Sequence, residues 1–176
     1  MTGGSNDGKR TMLVLGGTRS GKSRHAQMLA EAHGGRLVFI ATAQAFDGEM
    51  TDRIARHRAD RDGRWLTVEA PLDLAEAIAG QDADDAIILV DCLTLWTSNL
   101  MLAEENVDTR LATLCDTLMR VSGRVILVSS EVGWGIVPDN ALARRFRDLA
   151  GTINQRVAAV VDGVTLVVAG IPMPLK

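Results

Sequence analysis

The chain has 176 residues, of which 47% are hydrophobic and 23% charged, an ordinary composition for a globular protein with one core. Its formal net charge of −3 argues against a general nucleic-acid-binding protein, since there is no basic excess to neutralise phosphates. No apolar run is long enough to span a bilayer, and the N-terminus lacks the apolar segment of a signal peptide, so we expect a cytoplasmic protein. We expect residues 1–10 to form a flexible tail and residues 11–176 a single α/β domain.

Five short runs rich in β-branched residues are predicted to be strands, because they are almost continuously apolar, as strands covered on both faces are. In chain order they are TMLVLG near Leu13, RLVFIAT near Phe39, AIILVD near Leu89, RVILVSS near Leu127 and GVTLVVAG near Val167.

Segments with a helical spacing of apolar residues alternate with these runs and predict helices. They are Ser23–His33, Phe46–Arg61, Leu72–Ala79, Leu93–Leu102, Thr109–Val121 and Asn140–Val161. The alternation predicts parallel strands joined by crossover helices, and therefore a three-layer α/β fold. The two cysteines, Cys92 and Cys115, lack the spacing of a metal or redox site and are expected to be buried thiols.

A phosphate-binding loop is predicted directly after the first strand, where GGTRSGKS fits the pattern G-x-x-x-x-G-K-[ST]. Gly16 and Gly21 allow backbone N–H groups to turn inward around phosphate oxygens, and the following helix contributes its positive N-terminal end. Lys22 is expected to reach the β- and γ-phosphates, and the Ser23 hydroxyl to bind Mg²⁺. A strand before the motif and a helix after it distinguish this P-loop from a chance turn.

Asp91 ends the apolar run AIILV, where P-loop proteins normally supply a second metal ligand. An aspartate before a helix is also a common N-cap. The sequence favours the metal role, because the P-loop requires a divalent cation beside its phosphates.

A P-loop alone is compatible with kinases, nucleotidyl transferases, motors and guanine-nucleotide switches. No asparagine is followed by lysine, so the N-K-x-D motif of a switch is missing, and the D-x-x-G matches DRDG and DLAG do not follow strands. The chain length favours a small-molecule phosphotransferase, while a motor and a nucleotide-dependent binding module stay as alternatives.

The chain closely resembles the bifunctional adenosylcobinamide kinase/adenosylcobinamide-phosphate guanylyltransferase family of cobalamin biosynthesis. Three blocks carry the likeness, in order GGTRSGKSRHA, IATAQAFDGEMTDRIARHRADR and EVGWGIVPDNALARRFRDLAGTINQRVA. The resemblance implies a P-loop domain with a RecA-like sheet, assembled as a homotrimer. It also implies two reactions: phosphorylation of adenosylcobinamide with ATP or GTP, and transfer of GMP from GTP through a guanylyl-histidine, giving adenosylcobinamide-GDP and pyrophosphate. A P-loop metabolite kinase without the second step is the alternative.

The P-loop and the resemblance together assign the site residues. The motif predicts Lys22 as a catalytic residue and Ser23 and Asp91 as Mg²⁺ ligands, and the resemblance implies that His57 is the second catalytic residue, the guanylylated histidine. The nucleotide-binding positions are Gly16, Gly17, Thr18, Arg19, Ser20, Gly21, Lys22, Ser23, Thr42, Ala43, Gln44, Arg58, Ala59, Asp60, Arg61, Glu69 and Asp91.

His57 lies in MTDRIARHRADRDGRW, the most charged stretch of the chain. If Phe46–Arg61 is a helix, His57 continues the apolar stripe of Met50 and Ile54 and faces the domain. From the residues alone, a packed structural histidine is the simpler interpretation. The surrounding arginines favour a neutral imidazole that is able to attack phosphorus, and the resemblance assigns this histidine as the nucleophile.

Three further residues each keep two interpretations. His25 is either an ordinary helix residue or a phosphate contact. Trp134, in a loop at the sheet edge where α/β proteins bind ligands, either packs against the domain or covers the corrinoid ring. Glu131 is either a buried structural carboxylate or the group that orients or deprotonates the substrate hydroxyl.

Overall fold

The computed structural model describes residues 8–44 and 63–176. The predicted helix Phe46–Arg61 and most of the predicted tail lie outside these ranges. The described elements, in chain order, are β1 (Thr11–Gly16), α1 (Lys22–Ala32), β2 (Arg36–Ala41), β3 (Leu66–Glu69), α2 (Leu74–Gln81), β4 (Ala86–Asp91), α3 (Leu93–Leu102), α4 (Val107–Leu118), β5 (Arg124–Ser130), α5 (Ala141–Val160), β6 (Gly163–Val168) and β7 (Ile171–Pro174).

The strands form one sheet in the order β3-β2-β4-β5-β1-β6-β7, parallel except for the antiparallel pair β6–β7. All five predicted strands and the five predicted helices within the described ranges are confirmed. Strands β3 and β7 were not predicted, because both are edge strands without a continuous apolar run. The sequence of β7, IPMP, contains two prolines, which a sheet tolerates only at an edge or a strand end.

Alternate residues of the central strands pack into two cores, one on each face of the sheet. Leu13, Ile40, Ile88 and Leu127 face the larger core, which also holds buried side chains of α2, α3, α4 and α5. The smaller core includes Met12, Val14, Phe39, Leu89 and Val128, with Ala26 and Ala30 of α1. Helices therefore cover both faces, as a parallel sheet requires, and the predicted three-layer fold is confirmed. Within the described ranges, no helix combines the length and the apolar character needed to cross a membrane.

The strand register brings the residues predicted for phosphate and metal binding to one edge of the sheet. Gly16 at the end of β1 lies opposite Ser130 of β5. Asp91 at the end of β4 lies opposite Val128 of β5 and opposite Ala41 of β2. All of these are carboxyl ends of parallel strands, where open α/β sheets bind their ligands.

Asp162, in the turn before β6, holds the opposite end of β1. Its carboxylate accepts hydrogen bonds from the backbone N–H groups of Arg10 and Thr11, both at 2.9 Å, and from the Thr11 hydroxyl at 3.1 Å. These bonds, led by that of the Thr11 N–H group, lower the pKa of Asp162. The stability they contribute is therefore present above the unfolded-state pKa of this carboxyl and is lost as the pH falls through the lowered folded-state pKa.

We expect Asp162→Asn to lower the free energy of unfolding by about 1 kcal/mol near neutral pH, with the difference shrinking below about pH 4. Urea unfolding of wild type and variant at both pH values measures this. Asp84→Asn, at another exposed aspartate, is the matched control and should leave the free energy of unfolding unchanged at both pH values. A deficit of the same size at both pH values would contradict the assignment.

Candidate active site

The two glycines of the P-loop are required by its geometry. A Cβ atom on Gly16 would press on the Ser20 side chain and lie 2.7 Å from the carbonyl oxygen of Val167. Gly21 has a φ of +94°, and Arg19 also has a positive φ, of +58°. Left-handed residues within a tight loop turn successive backbone N–H groups toward one side, which forms an anion-binding concavity.

Helix α1 begins at Lys22, directly after this loop. Gly21 is its N-cap residue and provides no side chain to bond the first N–H groups of the helix, which therefore suit a phosphate. Lys22 Nζ donates to the carbonyl oxygen of Gly17 at 3.1 Å, so the ammonium group lies over the loop. Ser23, partly buried, is the second residue of the helix.

Asp91 is the last residue of β4, and Cys92 occupies the N-cap position of α3. The helix-cap interpretation of Asp91 is therefore not supported. The residues predicted to hold Mg²⁺ offer a hydroxyl and a carboxylate, which are the hard oxygen donors that this cation prefers. No cluster of three or more His, Cys, Asp or Glu side chains suited to a metal occurs in residues 8–44 and 63–176. Two protein ligands suffice when substrate phosphates and water complete the coordination of Mg²⁺.

Thr42 follows β2 and is fully buried, with its side chain bound to the backbone after β4. Its hydroxyl donates to the carbonyl oxygen of Cys92 and accepts from the Cys92 N–H group, both at 2.8 Å. Asn99 of α3 donates from Nδ2 to the carbonyl oxygens of Thr42 at 2.7 Å and of Pro71 at 3.0 Å. These bonds lock together the chain segments after β2, β3 and β4, which places Asp91 relative to its neighbours.

The remaining predicted nucleotide-binding positions fall into two groups. Ala43 and Gln44, which directly follow Thr42, and Glu69, at the exposed end of β3, lie at the same edge of the sheet as the P-loop. His57, Arg58, Ala59, Asp60 and Arg61 lie outside the described residues, so their part in the site stays a prediction.

Two of the residues with open interpretations are placed beside the P-loop. His25 is partly buried on α1, and burial lowers the pKa of its imidazole, which favours the neutral ring. Glu131 follows β5 and is only partly buried, and its N–H group donates to the carbonyl oxygen of Gly16 at 3.2 Å.

Trp134 is 72% exposed, so the interpretation that it packs against the described domain is wrong.

The predicted buried thiols are confirmed for Cys92 and Cys115. Burial, and next the negative charge of the adjoining Asp91, raise the pKa of Cys92 to about 11, which keeps this thiol protonated near neutral pH. Burial also raises the pKa of the Cys115 thiol and outweighs the lowering effect of the nearby Arg156 charge.

Sequence analysis missed Ser129 of β5 and Asn154 of α5. The Ser129 hydroxyl donates to Asn154 Oδ1 at 2.6 Å, and Asn154 Nδ2 donates to Glu131 Oε1 at 3.2 Å. The signal in the sequence was a polar pair, Ser129 and Ser130, at the end of a strand that is otherwise apolar. Asn154 gave no such signal within its amphipathic helix.

Comparison with protein families and curated proteins independently supports the family predicted from the sequence. The family model described as cobinamide kinase / cobinamide phosphate guanyltransferase matches residues 12–175. The bifunctional adenosylcobalamin biosynthesis protein CobP of Pseudomonas aeruginosa is 49% identical over 166 residues, covering 93% of this chain and 96% of that protein. The bifunctional adenosylcobalamin biosynthesis protein CobU of Salmonella typhimurium is 41% identical over 180 residues, covering 94% of this chain and 99% of that protein.

Solved structures with low sequence identity share the fold. The type III secretion ATPase EscN of enteropathogenic E. coli has a TM-score of 0.56 at 11% identity, covering 92% of this chain and 43% of that one. The flagellar accessory protein FlaH of Methanocaldococcus jannaschii has a TM-score of 0.53 at 13% identity, covering 95% of this chain and 78% of that one. These likenesses confirm the P-loop NTPase fold. Because the family model matches nearly the whole length and two curated relatives align with at least 93% of this chain, this chain belongs to the cobinamide kinase / cobinamide phosphate guanyltransferase family.

Proposed function

We propose that this bifunctional enzyme carries out both of its reactions at one P-loop site, phosphorylating adenosylcobinamide and then transferring GMP to the phosphorylated product. The observation that carries the proposal is the single P-loop, at the same sheet edge as Asp91, in a chain that the family model matches from residue 12 to 175. With one such loop in the sequence, we propose that it serves both nucleotide-dependent steps.

In the kinase step, a hydroxyl of adenosylcobinamide attacks the γ-phosphorus of ATP or GTP, and the bond to the bridging oxygen breaks. The nucleoside diphosphate leaves with the bonding electrons. Lys22, bonded over the P-loop, and the N–H groups at the uncapped start of α1 would stabilise the charge that develops on the phosphate oxygens. Mg²⁺ held by Ser23 and Asp91 would neutralise further charge on the same oxygens.

In the guanylyltransferase step, we propose that a ring nitrogen of His57 attacks the α-phosphorus of GTP and that pyrophosphate leaves. A phosphate oxygen of the phosphorylated cobinamide then attacks the same phosphorus, and the nitrogen–phosphorus bond breaks. The product is adenosylcobinamide-GDP. The arginine-rich segment that contains His57 supplies guanidinium groups suited to binding the triphosphate.

Radioactive GTP tests the whole proposal in one product. Incubation of the protein and adenosylcobinamide with [γ-³²P]GTP should place label in the phosphate attached to the corrinoid, and [α-³²P]GTP should place label in the GMP portion. Both labels are expected in the same compound, adenosylcobinamide-GDP. A corrinoid product that carries only the γ label would identify a kinase without the second activity.

A change at Asp91 tests the proposed metal site. Asp91→Asn removes a charged oxygen ligand, so we expect the Mg²⁺ concentration for half-maximal activity to rise by at least about tenfold. Mutation of residues that only hydrogen-bond to metal ligands already lowers metal affinity by about that factor. A Mg²⁺ titration of both reactions measures this shift. Asp116→Asn, at an exposed position on α4, is the matched control. An Asp91→Asn protein with wild-type fold and wild-type Mg²⁺ dependence would refute the metal role.

The homotrimer implied by the family resemblance stays a prediction. Ile171, Met173 and Leu175, on and just after edge strand β7, expose 65%, 48% and 59% of their surfaces, which suits an apolar contact between subunits. The mass of the protein in solution, measured by light scattering, decides between a trimer and the 18.9 kDa monomer.

A further inference from the structure

Glu131 is bound to the P-loop through its backbone. Strand β5, which it follows, lies between β1 and β4, the strands that end in the P-loop and in Asp91. The N–H group of Glu131 donates to the carbonyl oxygen of Gly16 at 3.2 Å. Because Gly16 is the first residue of the P-loop, Glu131 lies where that loop meets the neighbouring strand.

The side chain of Glu131 is held by a hydrogen-bond network that includes the buried residues Asn154 and Ser129. Asn154, which is 6% exposed, donates from Nδ2 to Glu131 Oε1 at 3.2 Å and to the carbonyl oxygen of Ser130 at 3.3 Å. The amide of Asn154 is oriented in turn by the Ser129 hydroxyl, which donates to its oxygen at 2.6 Å. Thr94 of α3 extends the network, since its hydroxyl accepts from the Ser130 N–H group at 2.7 Å. A hydrogen-bond network anchored on the buried side chains of Ser129 and Asn154 restricts its members to one arrangement.

This network orients the carboxylate of Glu131 through one of its two oxygens. A neutral amide contacts one oxygen of Glu131, while Oε2 has no hydrogen bond to the residues described on either side of the gap at 45–62. A carboxylate fixed in this way beside a phosphate-binding loop is able to accept a proton from an incoming hydroxyl. Phosphoryl transfer to an alcohol commonly uses a carboxylate to orient the nucleophile and take its proton.

We infer that Glu131 is the general base of the kinase step, positioned by Asn154. The inference rests on the proposed function, in which a hydroxyl of adenosylcobinamide attacks the γ-phosphorus. In that step the bond from the hydroxyl oxygen to phosphorus forms, and the bond from phosphorus to the β,γ-bridging oxygen breaks. The hydroxyl proton moves to the carboxylate of Glu131, and the electron pair of the broken bond leaves with the nucleoside diphosphate.

The second reaction gives the inference its test, because it has no hydroxyl to deprotonate. Its nucleophiles are a neutral imidazole and a phosphate monoester whose oxygens are already ionised near neutral pH. A general base for the hydroxyl therefore matters to phosphorylation alone. A carboxylate that merely supported the P-loop or a shared metal ion would affect both reactions.

The experiment compares wild type and Glu131→Gln on two acceptors, adenosylcobinamide and chemically or enzymatically prepared adenosylcobinamide phosphate. For the variant, kcat of phosphorylation should fall at least about 100-fold, with KM for adenosylcobinamide changed by less than about threefold. Guanylyl transfer to adenosylcobinamide phosphate should stay within about threefold of wild type. Asp139→Asn, a carboxylate-to-amide change on the same exposed loop, is the matched control and should retain both activities.

Glu131→Asp provides a second variant, which keeps the charge but withdraws it by one methylene, and the same selective loss is expected. Thermal melting of each variant confirms that it is folded. The inference is overturned if the folded variants lose both reactions together, or if they phosphorylate adenosylcobinamide at the wild-type rate. A wild-type protein that fails to phosphorylate adenosylcobinamide would instead contradict the proposed function itself.

Discussion

Replacing Lys22 by alanine is expected to depress the kinase and the guanylyltransferase reactions together, each by on the order of 3 kcal/mol in activation free energy. The reason is that, in the proposed single site, both reactions break bonds at phosphorus in a nucleotide held by the same loop. The Lys22 ammonium lies over that loop, bonded to the Gly17 carbonyl at 3.1 Å. Removing it withdraws a positive charge that we expect to contact the phosphates in both transition states.

Rates of GTP-dependent phosphorylation of adenosylcobinamide, and of guanylyl transfer to adenosylcobinamide phosphate, measure the two effects separately. Lys9→Ala is the matched control, because Lys9 precedes β1 at the opposite edge of the sheet and its ammonium bonds the carbonyl of Lys176. If one reaction kept its full rate in Lys22→Ala, the proposal of a single shared site would fail, and a second nucleotide site would have to exist.

Replacing His57 by asparagine should abolish adenosylcobinamide-GDP formation while cobinamide phosphorylation stays within about threefold of wild type. A covalent guanylyl-histidine divides one displacement at the α-phosphorus into two, so the transfer has no route without the nucleophile. Direct attack of the cobinamide hydroxyl on the γ-phosphorus needs no such intermediate. The two products are separated by chromatography and quantified for each variant.

His25→Asn is the informative control for this variant. His25 lies in the first turns of α1, next to the P-loop, and burial lowers the pKa of its imidazole, which favours the neutral ring that a nucleophile needs. We expect this variant to retain guanylyl transfer. Retention of transfer by His57→Asn together with its loss in His25→Asn would move the nucleophile to His25.

Much of the fold was predictable because its central strands are buried on both faces and therefore read as apolar runs. The two missed strands are at the edges of the sheet, where burial no longer dictates composition. Apolar and polar residues alternate in the four-residue strand β3, and β7 is exposed along its length. Helix limits depended on capping. Asn140, predicted as the first residue of α5, is its N-cap instead and accepts from the Ala143 N–H group at 2.7 Å.

The candidate site was predictable only where local sequence determines it. The P-loop is a local motif, and Asp91 follows directly from its strand, so both were identified from spacing. The network around Glu131 was not, because Ser129 and Asn154 are 25 residues apart and meet only through the packing of α5 on the sheet. For the same reason, nothing in the sequence indicated that the Thr42 hydroxyl would be engaged by the backbone of Cys92.

The central claim is that GTP bound at the P-loop site transfers its GMP group to His57. The most direct measurement is the position of the label on the protein after incubation with [α-³²P]GTP and Mg²⁺ in the absence of corrinoid. We expect a covalent, acid-labile and alkali-stable adduct, as is typical of a phosphoramidate, and peptide mapping by mass spectrometry should locate it on His57. We also expect that [γ-³²P]GTP leaves the protein unlabelled and that Lys22→Ala greatly slows the labelling. An adduct on any other residue, or full labelling of a folded His57→Asn protein, would contradict the account.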